Sequence, residues 1–306
     1  MNKLTIIGLT LLFSTKVFGQ INLTDSTVQV IGYWDNKEKQ TYVVTTEKYK
    51  VKGSDTTSRE LMTYEVDVTI KDSTAKSYTV EWFYKNFNTN TNNQFIKKLT
   101  SIAQDMSVII KTDEMGAFVE VVNWTEVRDY IKKSTSILKN EFKDIPKIDE
   151  IIKQIVGMFL TKEAIQSAAI KEIQQFYTYH GGKYKLGEET TGQMKLANLY
   201  GGEPFDAEVT VKLDEINAED GNSIIRMWQT INSKQLTDAS YEFIKELSKT
   251  MGTKPPKRDE IPPLKNETRT ASRIHGASGW IIYSVETKEV SAENTINFEE
   301  RTIEMK

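Results

Sequence analysis

Two hydrophobic periodicities divide the chain. In the first third, apolar side chains recur at every second position. Between 62 and 70, Met62, Tyr64, Val66, Val68 and Ile70 share one phase, and Thr63, Glu65, Asp67 and Thr69 the other. Such alternation predicts an antiparallel sheet covered on one side only. Residues 78–84 repeat it through Tyr78, Val80, Trp82 and Tyr84, with a turn expected at Lys71, Asp72 and Ser73. Residues 28–34 and 41–51 read as further strands. The segments 106–111 and 117–122 read as a hairpin around Asp113-Glu114-Met115-Gly116. The Asn/Thr-rich run 86–94 reads as a polar loop.

From 124 to 180 the period lengthens. Trp124, Val127, Ile131, Leu138 and Phe142 fall on helical spacing behind Asn123 as N-cap. Ile148, Ile151, Ile152, Ile155, Val156 and Phe159 form a second stripe. A third helix is expected from Thr161 as N-cap through Ala168, Ile173 and Phe176, stopping at Gly181 and Gly182. Strands return over 183–231. There Phe205, Ala207, Val209, Val211 and Leu213 alternate with polar residues, and Asp220-Gly221-Asn222 signals a turn. A helix over 238–250 is expected behind Thr237, with Leu236 and Tyr241 as a hydrophobic staple and Gly252 as its stop. Pro255, Pro256, Pro262 and Pro263 then fix an extended connection over 253–266. The strands of 267–303 are too few to stand alone, so they are predicted to complete the main sheet. The expected fold is α+β: one domain over 20–306, with a large curved antiparallel sheet whose one face is covered by helices.

The opening MNKLTIIGLTLLFSTKVFGQ has the build of an export signal. Lys3 gives a positive start, and Leu4 to Phe13 an apolar run too short to span a bilayer. Val17 and Gly19 place small residues before a cut that falls ahead of Gln20. A periplasmic or secreted address follows, and no later segment is apolar enough to span a membrane as a helix.

Composition narrows the partners. The chain has a formal charge of −3, and loss of Lys3 and Lys16 with the leader makes it more negative still. Without a basic footprint, nucleic acid is not an expected partner. There is no cysteine, so neither disulfides nor a lipid-bearing cysteine is available, and the apolar core must hold the fold.

Catalytic chemistry is thinly represented. The chain has two histidines, His180 and His275, and neither has a second at metal-ligand spacing. His180 precedes Gly181 at an expected helix end, a position suited to capping. Gly276-Ala277-Ser278-Gly279 lacks the spacing of a nucleophile elbow and lies in an expected turn. Pairs such as Glu188-Glu189, Asp214-Glu215, Glu219-Asp220 and Glu299-Glu300 sit near turns or strand ends. A hydrolase would need two carboxylates facing each other across a cleft. No cofactor or metal is implied. The aromatic residues Tyr78, Trp82, Tyr84, Trp228 and Trp280 offer either a lined ligand groove or ordinary core.

With its leader cut before Gln20, its strands followed by a helical insert, and its closing GWIIYSVETKEVS hairpin (279–291), the chain resembles a group of exported Bacteroidota proteins that define a domain of unknown function. Ser278 stands where that group has threonine. The broader shape is similar to periplasmic lipoprotein carriers, which hold acyl chains against a curved sheet. That resemblance implies a non-enzymatic binding or carrier protein for a hydrophobic or envelope-derived ligand. A structural or protein-interaction component of the cell envelope is the alternative, and a carboxylate-dependent hydrolase a second. The Bacteroidota resemblance also implies O-glycosylation within Asp25-Ser26-Thr27, Asp55-Thr56-Thr57 and Asp72-Ser73-Thr74, at Ser26, Thr56 and Ser73.

Overall fold

The structure, a computed structural model, describes residues 20–157, 159–168, 170–198, 200 and 202–306. The leader and Gly19 lie outside the described residues. Two short strands, β1 (Ile21–Asn22) and β2 (Thr27–Gln29), precede three long ones, β3 (Lys39–Lys52), β4 (Asp55–Thr74) and β5 (Ser77–Thr89). Helix α1 (Gln94–Thr100) leads to the hairpin β6 (Ser107–Asp113) and β7 (Phe118–Val121). Helices α2 (Trp124–Glu141), α3 (Ile148–Gly157), α4 (Lys162–Ala168) and α5 (Lys171–Tyr177) form the insert. Then come β8 (Lys183–Lys185), β9 (Glu189–Leu196), β10 (Phe205–Asn217), β11 (Asn222–Ile231), α6 (Ser233–Met251), β12 (Lys265–His275), β13 (Ile281–Ala292) and β14 (Thr295–Met305).

Eleven strands form one open antiparallel sheet in the order β7-β6-β5-β4-β3-β14-β13-β12-β11-β10-β9, and β1, β2 and β8 form a small second sheet. The fold class is therefore α+β, as the alternation predicts. The strands beyond the proline-rich connection lie in the middle of the sheet. β14 pairs with β3 from Thr295 against Lys52 to Met305 against Tyr42, while β12 pairs with β11 across that connection.

One face of the sheet is covered. Tyr42, Val44, Val66, Val68, Ile70, Val80 and Trp82 from β3–β5 are buried together with Ile165, Ile173 and Phe176 from α4 and α5. A smaller cluster under α6 joins Leu236 to Phe205, Ala207 and Ile231. Leu138, Ile148 and Ile152 tie α2 to α3.

Several local expectations are corrected. β4 runs straight through Lys71–Ser73, and the turn falls at Ala75-Lys76. The run 86–94 is not one loop: β5 continues to Thr89, and Asn93 caps α1 by accepting from the Ile96 N–H. Asn123 does not cap α2 with its side chain. It accepts from Ile109 N at 2.7 Å and donates to Ser107 O at 3.0 Å, tying the helix start to β6. Thr161 accepts from Ala164 N as expected, but the third helix is two, α4 and α5. Helix α6 begins earlier, behind Asn232, whose side chain accepts from Gln235 N. Thr237 is therefore interior, where its hydroxyl donates to Ser233 O and accepts from Leu264 N. Of 28–34, only Val28 and Gln29 are strand, although burial keeps alternating through Val30, Gly32 and Trp34. GWIIYSVETKEVS is the single strand β13 with its approach, not a hairpin.

Candidate functional site

The structure brings only some of the sequence-predicted aromatics together, and it packs them solid. Trp82, Tyr84 and Trp280 are buried. Trp34 sits among their neighbours, its ring centroid 5.0 Å from those of Tyr78 and Trp280, 5.6 Å from His180 and 6.2 Å from Tyr177. Tyr78 OH donates to Gly32 O, and Trp280 Nε1 to Glu38. Trp34, Trp82, Tyr84 and Trp280 belong to the main core cluster, with Tyr78 partly buried against it. Trp228 occupies the outward phase of β11, between Thr210 and Arg269, and is 39% exposed on the opposite face.

The histidines have structural partners. His180 is buried beyond the end of α5, with Nε2 2.9 Å from Gly279 O, so it is not a helix cap. Burial holds its pKa down at about 4. His275 Nδ1 lies 2.8 Å from Ser278 Oγ inside the β12–β13 turn. Its Nε2 has no hydrogen-bond partner among the described residues, so the oriented third member of a catalytic triad is missing there. No cluster of three or more metal-ligating side chains occurs among the described residues.

The hollow lies further along the same sheet face. A cleft of about 580 Å³ runs between α4–α5 and the inner face of β9–β14. Phe118, Tyr177, Met194, Leu196, Met227 and Ile231 supply an apolar wall, and Lys171, Glu286, Lys288, Glu299 and Arg301 a charged end. A second hollow of about 370 Å³ adjoins it, sharing Lys288 and Glu299. The register explains the charged end. Glu286 is paired with Arg301, and Lys288 with Glu299, in the inward phase that buries Ser284 and Ile303 nearby.

Arg301 is 5% exposed and makes three side-chain hydrogen bonds. Nη1 donates to Glu286 at 3.1 Å and to Gln175 Oε1 at 3.3 Å, and Nη2 to Glu299 at 2.9 Å. Gln175 in turn donates to Ser284 Oγ at 2.9 Å, and Glu172 accepts from Tyr84 OH. Helix α5 is thus bolted to the sheet by polar contacts. Burial favours the neutral form of Glu299, but Lys171, Lys48, Arg301 and Lys288 outweigh it and hold its carboxyl down at about 2. Lys288 is half-buried and forms no ion pair within 4.0 Å among the described residues. Burial and the neighbouring Lys171 hold its ammonium below the ordinary lysine range. On the next strand Asn266 is 3% exposed, and its Oδ1 has no hydrogen-bond partner.

The sequence reading missed this site. Its signal was present: charged residues in the inward phase of a strand, at Glu286, Lys288, Glu299 and Arg301. Of the expected glycan acceptors, Thr56 and Ser73 are exposed near the two ends of β4, whereas Ser26 is half-buried in a tight turn at φ 53°.

The chain matches no protein-family model and no curated protein. Among solved structures it is similar to one described as "lipid-protein interactions in lipovitellin", at 10% identity and a TM-score of 0.38. The match covers 89% of this chain and 25% of the other, so the chain spans about a quarter of that protein's length.

Proposed function

We propose that the protein is an exported, non-enzymatic binding or carrier protein for a hydrophobic or envelope-derived ligand, which it holds in the cleft beside α5. The observation that carries this reading is the cleft itself. It has a volume within the roughly 300–1,000 Å³ typical of small-molecule sites, and its lining combines an apolar set, Phe118, Tyr177, Met194, Leu196, Met227 and Ile231, with many polar groups and a charged end. Export enters from the leader, and the resemblance to exported Bacteroidota proteins points the same way. A hydrolase would need one carboxylic acid kept protonated. Glu299, the cleft carboxylate with a resolved shift, moves in the opposite direction.

A second reading, an envelope protein-interaction component, draws on β9. This edge strand is exposed along nearly its whole length and leaves one side free to pair with an extended partner.

The test is organic extraction of protein purified from its native source, followed by lipid mass spectrometry. A co-purifying apolar ligand is expected, and it should be lost when the wall is filled by Met227→Trp. Protein that is empty as isolated, and that takes up no hydrophobic probe, would overturn the carrier reading.

A further inference from the structure

The charged end of the cleft carries a sign. The chain as a whole is negative, yet the cleft lining at this end sets Lys171, Lys288 and Arg301 against Glu286 and Glu299, with the buried Glu172 acting on Arg301 from behind. The carboxylates are committed. Glu286 accepts from Arg301, and Glu299 from Arg301 with Lys48 and Lys171 within 4.0 Å. Lys288, in contrast, feels Glu299 and Glu286 only from a distance, its ammonium having no carboxylate within 4.0 Å among the described residues. Two further features surround it. Lys171 faces the same space and repels it, an arrangement that an anion between them would relieve. Thr268, directly opposite Lys288 in the register of β12 and β13, lines the same cleft with a hydroxyl that can donate to such an anion.

Resting on the carrier reading above, we infer that the ligand is a single-tailed amphipathic anion whose carboxylate or phosphate head sits between Lys288 and Lys171 beside Thr268. Its apolar tail lies along Met227, Leu196 and Ile231. A half-buried ammonium has shed part of its water already, so a head group arriving there forms a charge-assisted hydrogen bond at reduced desolvation cost. A neutral or cationic head on the same tail forfeits that contact, and a cationic head adds repulsion from both lysines.

Calorimetric titration with three probes of equal tail, each kept below its micelle concentration, tests the assignment: dodecyl phosphate, dodecanol and dodecyltrimethylammonium. Inorganic phosphate serves as a fourth, tailless probe. The phosphate amphiphile is expected to bind at least about tenfold more tightly than dodecanol, the gain of one charge-assisted contact. Lys288→Gln and, separately, Lys171→Gln should shrink that gap, while Lys288→Arg preserves it. Equal binding of the three amphiphiles, or a gap unchanged in both glutamine variants, would overturn the head-group assignment and leave the carrier reading standing. Binding of no amphiphile would overturn both. Inorganic phosphate binding as tightly as dodecyl phosphate would show a free-anion site and remove the tail from the argument.

Discussion

Gln175 on α5 donates to Ser284 on β13 at 2.9 Å, across 109 positions of sequence. The same side chain also accepts from Arg301 Nη1 and donates to Arg301 O. Three buried polar groups thus meet at one carboxamide, although Arg301 Nη1 also reaches Glu286 and Ser284 Oγ also accepts from Ser272. Gln175→Ala is expected to destabilise the protein by about 1–3 kcal/mol, because three buried hydrogen bonds are lost and water cannot replace them. Urea unfolding would measure it. A change within a few tenths of a kcal/mol would mean that α5 is held by its apolar side alone.

Stability should depend on His180. Its pKa in the fold is about 4, below the ordinary 6.5, because burial disfavours the charged ring. The unfolded chain therefore takes up this proton first as pH falls. The stabilisation from a neutral, buried ring is complete above about pH 6.5 and drains away toward about pH 4, a total of about 3 kcal/mol. At lower pH, Asp67 and Glu299 add a loss of their own. Both carboxyls are held at about 2, by Lys39, Lys85 and Thr41 in the first case and by Lys171, Lys48, Arg301 and Lys288 in the second, against an opposing effect of burial. Unfolding midpoints of wild type and His180→Gln measured across this range are expected to converge on acidification. Parallel curves would show that another group governs the slope.

Gly279 closes the β12–β13 turn at φ 73°, and a β-carbon there would stand 2.2 Å from Ile31 O. Gly279→Ala must push the turn away from the segment that carries Trp34. Strain from both the backbone angle and the contact predicts a loss of at least about 1–3 kcal/mol. The displaced Trp280 would also change tryptophan emission. Wild-type emission together with wild-type stability would contradict this packing.

Gln20 is the first described residue, and it is buried. Ile31 N donates to its Oε1 at 3.0 Å, and its Nε2 donates back to Ile31 O. If export removes the leader where its small residues indicate, N-terminal sequencing of native protein will begin at Gln20. A start upstream, with Lys3 and Lys16 retained, would count against export through that signal.

The sheet was legible because inward positions such as Val66, Val68, Val80 and Trp82 are apolar wherever helices cover them fully. The cleft was not, because the same phase turns polar where cover is partial. Glu286 and Lys288 continue the inward row of β13 yet look, in sequence, like a solvated strand end. Aromatic content drew attention to Tyr78, Trp82 and Trp280, whose large rings fill space and leave none. Helix α1 was hidden because Asn93, its cap, lies inside a run that is Asn-rich throughout. The division of α4 from α5 left no comparable mark between Thr161 and Phe176.

The place of β14 has a consequence for assembly. It is the last strand described, yet it lies near the centre of the sheet, hydrogen-bonded to β3 about 250 positions earlier in the chain. Until it arrives, the two halves of the sheet each present a raw inner edge, and the charged end of the cleft lacks both Arg301 and Glu299. A chain delivered from its N-terminus, whether by the ribosome or through a membrane pore, must stay open until β14 emerges. The same late step that seals the sheet also completes the charged end of the cleft, so a half-finished intermediate would lack that end.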